Sequence, residues 1–158
     1  MKKICSIMVV LLISSLSFSV VSAQTKEEVV ALVKQTKSDI EKNSTLTLEK
    51  INAGAHPYKN SANPSLYVFI LDIELNVAAH AIKPHNVGKN LKGKPDVKGK
   101  LFRDELQTKA LGDGKGWVDY YYLYPKTKQI THKDSYSELD EGSDGTKYNV
   151  GSVKYYDN

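Results

Sequence analysis

The side chains whose type and place single them out for polar chemistry lie mainly in the strand-like, aromatic-rich segments. Lys133 falls in the stretch 129–136, whose β-branched and aromatic composition reads as a strand. An ammonium turned from such a strand into a cavity supplies a charge-assisted hydrogen bond to a carboxylate, worth about 1.5–3 kcal/mol. Turned the other way it is an ordinary solvated lysine, and the residues alone favour that simpler reading. Tyr136 offers a hydroxyl three positions on. Strict alternation puts Lys133 and Tyr136 on opposite faces, so both reach one ligand only if a bulge intervenes or the strand ends between them. His80 closes another strand-like run beside a long loop, where a neutral imidazole either hydrogen-bonds a ligand oxygen or serves as a buried structural residue. Trp117 and the cluster Tyr120, Tyr121, Tyr122 and Tyr124 are apolar in body and polar at the tip, and Tyr67 and Phe69 share one strand face. Such side chains wall small-molecule pockets and also fill ordinary cores.

Other chemistry finds less support. His80 and His85 are five residues apart, a spacing that suits neither one helix face nor one strand face, and no third histidine or paired carboxylates lie near them in sequence. No metal site is expected. Ser135 lies mid-strand without an identifiable base, and no G-x-S-x-G elbow is present, so nucleophilic catalysis has no motif. Asp140, Glu141 and Asp144 do not follow the spacing of an EF-hand loop and read as an acidic solvated turn. Cys5, the single cysteine, lies in the N-terminal segment expected to be removed, so the exported part has no thiol for disulfides, thiolate metal sites or cysteine catalysis. The sequence predicts a binding protein with no cofactor rather than an enzyme.

The start of the chain sets the compartment. Met1, Lys2 and Lys3 form a basic head, residues 7–13 an apolar run, and Val21, Ser22 and Ala23 a small-residue cleavage site before Gln24. Ser14, Ser15, Ser17 and Ser19 keep the run below the roughly 20 apolar residues of a spanning helix. The expectation is a signal peptide over 1–23, cleaved to release one periplasmic or secreted domain over 24–158, with no membrane insertion afterwards. The formal charge is +4, and Lys2 and Lys3 belong to the leader, so the exported part is only weakly basic and nucleic acid is not an expected partner.

Elements able to position these groups follow from periodicity. Thr25 and Glu28 make a capping box, and Val29, Val30, Leu32, Val33 and Ile40 recur at helical spacing, predicting a helix over about 25–42. Leu46, Leu48 and Ile51 suggest a second, short helix ending near Gly54. Strands are predicted over 66–71, 76–80, 117–124, 129–136 and 148–155, with turn chemistry at Pro125 and at 142–145. Between the second and third strands, 81–100 carries two prolines, three glycines and six lysines and reads as a long loop of the kind that serves as a lid. Leu101, Phe102, Leu106 and Leu111 then suggest a helix that Gly112 ends. One antiparallel sheet with helical cover, an α+β arrangement, accounts for this order.

The segments 66–72, Ala79-His80, 87–90, 96–100, 116–120, 133–136 and 150–157 resemble, in that order, the single Cache domains, which are extracytoplasmic sensor modules. The resemblance implies a PAS-like antiparallel sheet of about five strands, a long N-terminal helix, and a helix and loop covering the ligand face. It implies a small metabolite as ligand, often a short organic acid, and brings Lys133 and Tyr136 forward as ligand contacts. A membrane receptor or sensor kinase is the partner it suggests. The chain departs from the family pattern at 73–76, where the first hairpin turn lacks its usual glycine, and at Ala81, where a proline commonly follows the histidine. Without an output segment after Asn158 the chain is expected to act as a stand-alone module. Two function classes remain open at this stage: a soluble binder of a small carboxylate, and a ligand-free interaction module that docks through the lysine-rich loop.

Overall fold

The computed structural model describes residues 24–123 and 129–156. The leader predicted over 1–23 with Cys5, the strand end predicted at Tyr124, the turn predicted at Pro125, and Asp157 lie outside the described residues.

The N-terminal helix α1 (Lys26–Lys42) starts where the capping box predicts. Thr25 Oγ1 accepts the Glu28 amide at 3.1 Å and Glu28 Oε2 accepts the Thr25 amide at 2.9 Å, so two otherwise orphaned N–H groups are satisfied. Asn43 ends α1 and caps α2 (Ser44–Asn52), its Oδ1 accepting the Leu46 amide at 3.0 Å. The strands are β1 (Val68–Asp72), β2 (Val77–His80), β3 (Lys115–Leu123), β4 (Ile130–Glu141) and β5 (Lys147–Tyr155), in the antiparallel order β2-β1-β5-β4-β3. This is the expected α+β, PAS-like sheet.

The sheet is covered on both faces. Val68, Ile70, Val150, Tyr136 and Tyr148 pack with Val29, Val33 and Ile40 of α1. The opposite face packs Val118 and Tyr120 against Phe102 and Leu106 of α3 (Phe102–Asp113). That helix presents Phe102, Leu106 and Ala110 inward, while Leu101 and Leu111 are exposed, so the expected apolar face was drawn one position off at each end. Its stop also differs from expectation. Gly112 lies within the helix, and Gly114 at φ +75° supplies the left-handed C-cap.

The glycine-less hairpin turn is closed by the Asp72 amide, which donates to Asn76 O at 3.0 Å. Leu75 takes φ +64°, an uncommon conformation for a branched residue. Asp72 holds it: its Oδ1 accepts the Glu74 and Asn76 amides, each at 2.9 Å, and its backbone carbonyl accepts the Leu75 amide at 3.1 Å. Burial of Leu75 against Leu71 and Val77 offsets the backbone strain.

The loop 81–100 is more ordered than its composition suggests, being a chain of turns with a 3-10 segment at Pro84–Asn86. It is tied to both edges of the sheet. At the β2 edge, the Gly88 amide donates to Val77 O at 2.8 Å and the Val77 amide to Lys89 O at 3.0 Å. At the β3 edge, Asp96 accepts the Tyr121 amide at 2.8 Å while also accepting the Lys98 and Lys100 amides. Both edges are thus partly covered by one segment that crosses the α3 face.

Candidate functional site

Between the sheet, α3 and the crossing loop lies a cavity of about 370 Å³. Its floor comes from alternate positions of β1, β3 and β4, which place Tyr67, Phe69, Tyr120, Lys133 and Ser135 on one face. Its roof is Phe102, Arg103 and Leu106, and its rim is the loop with Lys83, Asn86, Lys89 and Lys94.

The aromatic walls are fixed by packing. Phe102 stacks on Tyr120 with ring centroids 3.8 Å apart and planes 2° from parallel, and Tyr122 meets Tyr120 edge-on at 6.4 Å. Phe69 lies across Gly151, where an added Cβ would stand 2.3 Å from Phe69 Cζ. Only glycine permits that approach.

Electrostatically the site is one-sided. Lys83, Lys89, Lys94, Arg103 and Lys133 line the cavity, and none of the described lining residues is acidic. Lys133 is only 4 % exposed. Its Nζ stands 3.5 Å from Tyr67 Oη and 3.9 Å from the Tyr155 ring centroid, and among the described residues no carboxylate pairs with it. Burial, then the charges of Lys83 and Arg103, push its ammonium down to about 7. A buried charge held this way is costly unless an anion arrives.

The neutral groups are arranged as donors. His80 is pushed down to about 3 by burial and by the nearby cations, so it is uncharged at neutral pH. Its Nδ1 accepts the Ile82 and Lys83 amides at 3.4 and 3.2 Å, which leaves the ring proton on Nε2. Burial raises the Tyr67 and Tyr120 hydroxyls well above their ordinary range, so both remain protonated. Burial also pulls Arg103 below its usual value, and the neighbouring Tyr122 and Tyr120 side chains oppose that pull.

Of the residues singled out in the sequence, the structure brings Lys133, Tyr120, Tyr67, Phe69 and His80 to this cavity. It does not bring Tyr136 or Trp117. No bulge interrupts the pairing of β3 with β4, so alternation holds and both project from the α1 face. There Tyr136 donates to Glu138 Oε1 at 2.7 Å, Trp117 packs on Tyr136 at 5.0 Å, and Lys26 Nζ sits 4.7 Å over the indole. Their expected placement at the ligand is corrected accordingly. Sequence reasoning missed Arg103 and Lys83. Arg103 neighbours Phe102 and lies three residues before Leu106, a helical spacing that could have put it on the inner face. Lys83 was one of six loop lysines with nothing local to distinguish it.

A helix-backed antiparallel sheet whose other face holds a small, loop-covered cavity defines a small-ligand sensor module. The chain belongs to the Single Cache domain 2 family, whose profile matches residues 20–155. Cache domains are periplasmic sensor domains that bind small ligands. Among solved structures, the chain is similar to a periplasmic sensor domain of a chemotaxis protein, with 25% identity, a TM-score of 0.60, and 83% of this chain and 90% of that chain covered. It is similar to a Cache chemosensory domain described for carboxylic acid recognition, with 21% identity, a TM-score of 0.64 and coverages of 83% and 92%. A third likeness is to a methyl-accepting chemotaxis protein from Vibrio parahaemolyticus, at 21% identity, a TM-score of 0.62 and coverages of 84% and 88%. No curated protein sequence matches. No helix among the described residues is long and apolar enough to cross a membrane.

Proposed function

We propose that this protein is an exported sensor-type domain that captures a short organic acid in the cavity beneath the loop. The observation that carries this reading is Lys133, a buried ammonium in a cavity lined by four further cations and by no described acidic residue. A carboxylate placed there removes the cost of the unpaired charge and gains a charge-assisted hydrogen bond. His80 Nε2–H and the Tyr67 hydroxyl supply neutral donors beside it. The carboxylic acid recognised by one similar Cache domain agrees with this charge pattern.

In this reading residues 1–23 are removed as a signal peptide and residues 24–158 work outside the cytoplasm, presenting the bound acid to a membrane receptor or sensor kinase. The side chain of Gln24 already serves the fold, donating to Val153 O and accepting the Tyr155 amide at 3.2 Å. Intact mass of the exported protein should therefore begin at Gln24. A thermal-shift screen against short organic acids, amino acids, amines and purines tests the ligand class, because a ligand that binds only the native state stabilises it by mass action. Stabilisation by acids alone is the expected result. Stabilisation by amines alone would overturn the reading, and a response to none of the compounds would favour a ligand-free docking module.

A further inference from the structure

Three cationic heads gather around a single tyrosine. Lys83 Nζ stands 3.3 Å from the Tyr122 hydroxyl and 4.6 Å from its ring centroid, and Lys133 Nζ lies 5.1 Å from the same centroid. Arg103, whose charge also interacts with that hydroxyl, is fastened by Nη1 to Lys94 O at 3.3 Å.

The acidic side chains in the neighbourhood are engaged elsewhere. Asp104 accepts the Gly93 amide, Glu105 faces Lys100 and Lys109, and Asp119 pairs with Lys100 at 2.7 Å. Asp96 is held by three backbone amides. Among the described residues, then, Lys83, Arg103 and Lys133 have no carboxylate partner, although Lys133 is buried and the other two are half-buried. One carboxylate would neutralise one of these charges and leave two like charges beside it, an arrangement that low-dielectric surroundings penalise.

We propose that the natural ligand is a small dianion, with one negative group against Lys133 and the remaining charge met by Lys83 and Arg103. This deepens the organic-anion reading and rests on it. The apolar faces of Phe69, Phe102 and Tyr120 fit a short carbon spacer between the two ends. Two carboxylates or one phosphate monoester carry the required charge, and the Arg103 fork suits the oxygens of either.

The test is calorimetry on the leaderless protein at pH 7 with two matched pairs: succinate against butyrate, and glycerol 3-phosphate against glycerate. The expected result is that at least one dianion binds tenfold or more tightly than its monoanionic counterpart. A Lys83→Met, Arg103→Gln double variant, shown folded by its melting transition, should lose that preference, its affinity for the dianion falling about tenfold further than its affinity for the monoanion. Which pair shows the preference distinguishes a dicarboxylate from a phosphate ester. Monoanions that bind as tightly as both dianions would overturn the proposal and leave the organic-anion reading standing. A preference that survives in the double variant would overturn the assignment to Lys83 and Arg103. Binding of none of the four would overturn the dianion proposal, and the organic-anion reading would fall with it only if the wider acid screen also gave nothing.

Discussion

Asp96 Oδ2 accepts the amide of Tyr121 at 2.8 Å, so a loop carboxylate caps an N–H on the outer edge of β3. The same side chain accepts the Lys98 and Lys100 amides, each at 2.8 Å, and closes the loop on itself. Asp96 thus anchors the cavity's cover at the β3 edge. Asp96→Asn should cost about 1–3 kcal/mol, because an amide NH2 replaces an acceptor opposite a backbone donor. Amide exchange at Tyr121 and Lys100 should accelerate in the variant and be unchanged in α1. Uniform acceleration across the domain would mean that Asp96 acts on global stability and not on the cover.

Lys133→Met should separate binding from stability. Loss of the ammonium is expected to weaken binding of the best acid from the screen by roughly ten- to a hundredfold. The unliganded protein should become more stable, by about 1–3 kcal/mol, since an unpaired buried charge gives way to an apolar side chain of similar length. Thermal melting without ligand and calorimetry with it measure the two effects. Equal affinities for wild type and variant would show that the lysine does not touch the ligand.

Binding should depend on pH through the same group. Lys133 titrates near 7 in the native state against 10.5 when unfolded. Between these values the unfolded chain holds a proton that the native chain lacks, so this residue makes unliganded stability rise with pH across that interval. An anion needs the charged form, so affinity should fall by up to about tenfold per pH unit above 7 and binding near pH 8 should take up a proton. Beside Lys133, His80 is neutral down to about 3, and burial raises the Tyr67 and Tyr120 hydroxyls. Calorimetry in buffers of different ionisation enthalpy measures proton uptake directly, and zero uptake at pH 8 would refute the coupling.

Gly151→Ala should damage the cavity from below. The new methyl would meet three Phe69 ring atoms between 2.3 and 2.9 Å, so the ring, which lines the cavity, would have to shift. The cost should be about 1–3 kcal/mol, as for other overpacked cores, accompanied by weaker ligand binding. Combining it with Phe69→Leu should recover part of the loss, a coupling that a double-mutant cycle reads. Strictly additive effects would show that the two residues do not share the space.

Much of the fold was legible because it follows from local periodicity. The Thr25–Glu28 capping box and the apolar spacing after it gave the first helix its start, and aromatic and β-branched runs located all five strands. Alternation alone separated Lys133 from Tyr136, and the unbroken β3–β4 register bears that out. Alternation could not say which face carries the cavity, and so Tyr136 and Trp117 were drawn to the wrong side. That choice depends on α1 lying against one face and α3 with its loop against the other, a matter of long-range packing. The order seen in 81–100 was likewise hidden, because its hydrogen bonds reach Val77 and Tyr121 on opposite edges of the sheet. The convergence of Lys83, Arg103 and Lys133 is tertiary for the same reason. Lys83 and Arg103 are unremarked in their own segments, and with Lys133 they become one site only when a loop, a helix and a strand close around the same tyrosine.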